Sequence, residues 1–292
     1  KITVPPENFT LTKGQSQVVT VTADITGVSS SDWAFGNLLL TSSNHPDAAM
    51  PVAVKAARDN LPDSFTIRAG RDADELTFNE LKSLDMTGLD AEVSALALAD
   101  SFEAVLKQDS NVGSFLDDIT DGVAFVAYRV EEGAKLFNTT ITATNSPDLD
   151  LYVAIDRDSD GSLDALVGQS ARAGSDESVS ISNPEVGDYY IFVQNYEASA
   201  ANAEDPFTLK TSVVEAGPAQ DNFTLTKTGD NEDFSLKFAW KDNFDASDLG
   251  YAVVTLTSSD TNVAAKNLPV AFSRVVDDVQ MPAASVLSGE MT

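Results

Sequence analysis

The sequence predicts an all-β protein built of tandem antiparallel β-sandwiches, and three observations carry that prediction. Short runs rich in Val, Ile, Thr and Phe alternate apolar with polar residues, the period expected of half-buried strands. Clusters of Gly, Asn, Asp and Ser interrupt the runs at roughly ten-residue spacing, which favours antiparallel sandwiches over parallel sheets. A block near the start of the chain also recurs near its end.

The recurrence comes first because it sets the organisation. Asn8-Phe9-Thr10-Leu11-Thr12-Lys13 reappears unchanged as residues 222–227, residues 32–43 align with 248–259, and Met50-Pro51-Val52-Ala53-Val54 aligns with Leu268-Pro269-Val270-Ala271-Phe272. The blocks are collinear with small register slips, which places the length differences in loops. Within the copies, Gln17-Val18-Val19-Thr20-Val21-Thr22-Ala23 and residues 233–240 have strand character. The first copy is short for a sandwich of about seven strands in roughly 100 residues, so strands preceding Lys1 are expected. Domains are therefore expected at 1–58 (a sandwich truncated at its N-terminus), 61–215 (a second kind of β-domain) and 217–278 (the second repeat), with a tail at 279–292.

The middle segment supplies its own strand candidates at 65–68, 123–130, 136–142, 149–155, 178–181 and 189–193. Residues 90–107 are rich in Ala and could form a helix, but Ala91-Val93-Ala95-Ala97-Ala99 keeps a period of two and favours strand.

Composition removes function classes. The 292 residues carry 46 acids against 18 Lys and Arg, a net charge of −28. That opposes phosphate neutralisation, so neither nucleic acid nor an anionic membrane is an expected partner. There is no Cys and one His, which removes thiol chemistry and multi-His metal sites. No apolar run approaches the roughly 18 residues of a membrane helix. A start at Lys1, without an initiator Met or signal-like stretch, predicts a segment of a longer, processed protein.

The most specific local pattern is Asp156-Arg157-Asp158-Ser159-Asp160-Gly161-Ser162-Leu163-Asp164. Carboxylates at alternate positions, then Gly, then a further carboxylate suit a hard cation that takes six to eight oxygens at about 2.3–2.6 Å. The candidate ligands are Asp156, Asp158, Asp160, Ser162 and Asp164, and the candidate ion is calcium. Val167 stands where an EF-hand would need Glu, so the loop is read as a β-scaffold calcium loop, with an acidic turn as the alternative. A hydrolase site finds little support. His45 lies in a turn whose repeat counterpart has no His, and Gly168-Gln169-Ser170-Ala171-Arg172 lacks the second Gly of a nucleophile elbow. Trp33 and Phe35 align with Leu249 and Tyr251 and read as sandwich packing, with an aromatic binding platform as the alternative.

Three strands carry a resemblance. Asp148-Leu149-Asp150-Leu151-Tyr152-Val153, the acidic turn and strand of residues 174–184 ending in Asn183-Pro184, and Gly187-Asp188-Tyr189-Tyr190-Ile191-Phe192-Val193 resemble the pre-peptidase C-terminal domain. The flanking repeats resemble the fibronectin type III-like domains of large secreted bacterial subtilisin-like serine peptidases. The resemblance implies immunoglobulin/fibronectin III-like sandwiches flanking a jelly-roll-like domain. It also implies a secreted or cell-surface bacterial location and a non-catalytic role in stabilisation, secretion or attachment. The implied partners are an upstream peptidase domain of the same chain and a protein or glycan surface. An adhesin-like or glycan-binding extracellular module is the alternative. The Asp156–Asp164 loop is longer and more acidic than the family's usual turn, which strengthens the calcium reading.

Overall fold

The computed structural model describes residues 2–24, 33–55, 59–242 and 244–275. Twenty strands and no helix are found among the described residues, as the period-two patterning predicts. The chain divides into two compact units, Lys1–Leu61 with Lys82–Asp85, and Pro62–Leu81 with Met86–Thr292. The expected tail at 279–292 and the last residues of the expected third domain lie outside the described residues.

In the first unit, β1 (Ile2–Thr3) pairs with β2 (Thr22–Ala23), and β3 (Trp33–Leu40) forms an antiparallel hairpin with β4 (Ala48–Lys55). The strand expected over 17–23 is confined to its last two residues. Val18 is exposed, so the alternation there has no apolar face to pack on.

The second unit contains two sandwiches. Residues 100–214 form the first, from β9 (Asp100–Leu106), β10 (Val123–Val130), β11 (Leu136–Thr144), β12 (Asp148–Asp156), β13 (Ala165–Ser170), β14 (Ser178–Ser182), β15 (Gly187–Glu197) and β16 (Asp205–Val214). Its sheets run β10-β15-β12-β13 and β14-β11-β16-β9. Alternate residues of β12 and β15, Leu149, Leu151, Val153, Ile155, Tyr189, Ile191 and Val193, meet Phe137, Ile141, Phe207 and Leu209 in one core. Each buried side chain of this size contributes about 1.5–3 kcal/mol, and the two motif strands supply seven of the fifteen buried residues of this core.

The second sandwich corrects the expected domain boundaries. Its sheets combine the C-terminal repeat, β17 (Phe223–Gly229), β18 (Phe234–Lys241), β19 (Leu249–Thr257) and β20 (Lys266–Arg274), with β5 (Phe65–Ala69), β6 (Ala73–Leu81), β7 (Asp90–Val93) and β8 (Ala97–Leu98). β5 lies parallel on β20, β6 antiparallel on β18, and β7 and β8 antiparallel on β19. Residues 62–98 thus belong with 223–274, and residues 100–214 are inserted between them. Packing explains the choice: Phe65 and Phe78 join Phe238 at centroid distances of 4.8–5.8 Å, and Phe272 packs on Phe223, Trp240 and Phe244. The strand reading of residues 90–107 agrees with β7, β8 and β9. Leu136 and Val214 of the inserted sandwich pack on Val253, with Tyr251 and Ala97 beside them, so the two share an apolar contact.

Candidate metal centre

The candidate loop leaves the end of β12, where the last residue points inward. Asp156 is fully buried, and its carboxylate accepts hydrogen bonds from the backbone amides of Asp160 (3.3 Å) and Gly161 (2.8 Å). Two residues in the left-handed region, Ser159 (φ 58°) and Gly161 (φ 86°), reverse the chain over that carboxylate. Asp164 returns to the strand end: its amide donates to Ile155 O (2.8 Å) and its carboxylate accepts from the Arg157 amide (2.7 Å).

The result brings ligand oxygens of Asp156, Asp158 and Asp164 within 4.8 Å of one another. Asp160 is not part of this group, because its carboxylate turns to accept the Ser162 amide at 2.8 Å. Of the five expected ligands, three carboxylates therefore converge, while Asp160 and Ser162 are joined by a local turn. The like charges are felt: repulsion from Asp160, with a contribution from burial, pushes the Asp158 carboxyl above its ordinary range. The convergent donors are all hard oxygens, the chemistry that suits calcium.

Two ion pairs flank the loop and were not readable as such from spacing. Arg157 Nε donates to Glu185 at 2.7 Å, which holds the Glu185 carboxyl below its usual range. Arg129 Nη1 donates to Ser159 Oγ (3.1 Å) and to Asp188 (3.3 Å). Asp188 faces Asp156 across the β12–β15 pair, and the Ser159 hydroxyl together with Arg129 holds its carboxyl low.

A buried polar network occupies the other end of β12. Tyr152 Oη donates to Asp150 (3.1 Å), and Gln194 Nε2 donates to the buried Asp109 (2.5 Å). The Tyr152 ring stacks on Phe115 at 4.1 Å. Burial, reinforced by the charges of Asp148 and Glu177, raises the Asp150 carboxyl to about 6 in spite of the tyrosine hydrogen bond. Asp148 and Asp150 stand out in the sequence, whereas Asp109 and Gln194 are remote in the chain and carry no local signal. His45 lies in an exposed turn.

These strands are the ones that a known family shares. Residues 122–195 match the family model of the bacterial pre-peptidase C-terminal domain. The match spans β10 to β15, six of the eight strands of the inserted sandwich, and stops short of β9 and β16, which pair with each other at a sheet edge. The candidate loop and the Asp150 network both lie within or directly against the pre-peptidase C-terminal match. No curated protein matches the chain. Among solved structures, the crystal structure of tripeptidyl peptidase 2 (TPP II) is similar at 13% identity and a TM-score of 0.25. The alignment covers 86% of this chain and 26% of that one, so the chain spans about a quarter of that protein's length.

Proposed function

We propose that the chain is a non-catalytic accessory region of a secreted bacterial subtilisin-like serine endopeptidase, acting in stabilisation, secretion or attachment to substrate or surface. The observation that carries the reading is the pre-peptidase C-terminal match, which falls on the central strands of one sandwich rather than on a peripheral loop. Tandem sandwiches offer surface and rigidity, and in this reading the inserted one is the attachment module. Calcium would be held by Asp156, Asp158 and Asp164, cross-linking the two ends of the loop and stabilising the inserted sandwich by ligand linkage.

The test of the peptidase reading uses antibodies to residues 100–214 and a fluorophosphonate probe for serine hydrolases on secreted material from the source organism. The captured polypeptide, or the precursor from which it is cut, is expected to take the label. Capture of unlabelled species alone, with no larger precursor, overturns the reading.

A further inference from the structure

The hairpin β3–β4 and the hairpin β19–β20 share one register. Trp33 pairs with Lys55 and Leu40 with Ala48, and their repeat equivalents pair as Leu249 with Ser273 and Leu256 with Lys266. Their surroundings differ completely. In the second repeat, β5 lies parallel along the outer edge of β20, and β7 and β8 lie antiparallel along the outer edge of β19. In the first repeat, β3 and β4 pair only with each other among the described residues.

The apolar residues follow the same contrast. Leu256 is fully buried, but its equivalent Leu40 is 38% exposed; Leu268 is 9% exposed, but Met50 is 48% exposed. On the opposite face Tyr251 packs beside Leu136 and Val214, while its equivalent Phe35 is 79% exposed. Native edge strands are commonly blunted by charge or Pro; β3 has neither, and β4 has Lys55 at its end and Pro51, whose equivalent Pro269 lies just before the stretch of β20 that β5 pairs with. The charge balance agrees: residues 1–61 hold five acids and four bases, so almost none of the −28 lies there. The donor-type segment 62–98 is acidic, and a nearly neutral acceptor does not repel it.

We propose that the first repeat is an acceptor half-sandwich, completed by an extended strand-donating polypeptide segment with the apolar alternation of residues 62–98. Among the described strands none is free to be the donor, because β5–β8 are engaged in the second repeat and β1 and β2 pair with each other. It adds a parallel strand along β4, with apolar residues spaced as in Phe65, Ile67 and Ala69, and an antiparallel strand along β3. Backbone hydrogen bonds supply the affinity, and the alternating side chains supply the choice of partner.

The experiment compares the 292-residue chain with the same chain carrying an extra copy of residues 62–98, joined ahead of residue 1 by a Gly-Ser linker. Hydrogen exchange at β3 and β4 and acrylamide quenching of Trp33 are read; Trp240 is buried and contributes little quenching. Exchange in β3 and β4 is expected to slow by about a hundredfold or more, with weaker Trp33 quenching. A control fusion with Phe65→Asp and Ile67→Asp in the extra copy only is expected to leave both unchanged. If the fusion is insoluble, a synthetic peptide of residues 62–98 added to the unmodified chain gives the same readout. Unchanged exchange, or equal slowing by the control, overturns the proposal. So does concentration-dependent protection in the unmodified chain, which would make a second copy the occupant.

Discussion

Asp150 sits where a carboxylate is costly. Its carboxyl is raised to about 6 by burial and neighbouring charge, while the unfolded chain titrates near the ordinary carboxylate value. The folded state therefore holds the proton more tightly, and between about pH 4 and 6 stability falls as pH rises, by about 3 kcal/mol at most. Asp150→Asn keeps an acceptor for the Tyr152 hydroxyl and removes the charge. Denaturant melts across that pH range are expected to show a slope in the parent that is flattened in the variant; parallel slopes would refute the assignment. Gly122 is a second decisive residue, with φ 68° and the Asp109 backbone nitrogen only 2.3 Å from where a Cβ would stand. Its carbonyl also accepts the Asn195 amide at 2.9 Å, so the segment cannot easily retreat. Gly122→Ala is expected to cost about 3 kcal/mol or more, visible as a lowered urea midpoint.

At the scale of the element, the proposed calcium would act on the loop between β12 and β13. Calcium in large excess over its dissociation constant is expected to raise the melting temperature by roughly 5 °C or more relative to chelator. Asp158→Ala is expected to abolish that increment while leaving the chelated midpoint nearly unchanged, since Asp158 is exposed. An equal midpoint with calcium and with chelator removes the metal. The spacing of Asp156, Asp158 and Asp164 was readable because alternate residues of an extended loop share a side. The diversion of Asp160 was not, since it follows from the chain reversal at Ser159 and Gly161 and the local capture of the Ser162 amide. The same contrast holds for the strands. β5, β10, β12 and β15 alternate cleanly, or run apolar where both faces are covered, and read directly. β6 is exposed along almost its whole length and gives no period, and β13 is short and contains Gly168. The partner of β5 was unreadable for a different reason: β20 lies about 200 residues away, and only the shared aromatic core selects it.

At the scale of the molecule, residues 62–98 and 223–274 of the second unit form one sandwich although residues 100–214 separate them in the chain. The C-terminal repeat taken alone, residues 217–275, lacks every strand that β5–β8 contribute, and Phe238 would lose its contacts with Phe65 and Phe78. It is expected to show no cooperative unfolding in urea, whereas the same repeat joined to residues 62–98 by a flexible linker is expected to unfold cooperatively. A cooperative transition in the isolated repeat would show that β5–β8 are dispensable. The repeat with its three matching blocks invited a boundary near 217, because sequence similarity marks what was copied and says nothing about which strands complete it.

The insertion of residues 100–214 into the second sandwich also governs what a protease can do to the molecule. A cut in the exposed loop between β9 and β10 severs the covalent path from residues 62–98 to residues 223–274 but leaves every hydrogen bond between them in place. Nicked protein would migrate as one body under native conditions and as two pieces in detergent. The sandwich thus acts as a clasp that keeps the inserted domain tethered at both ends after the backbone has been broken.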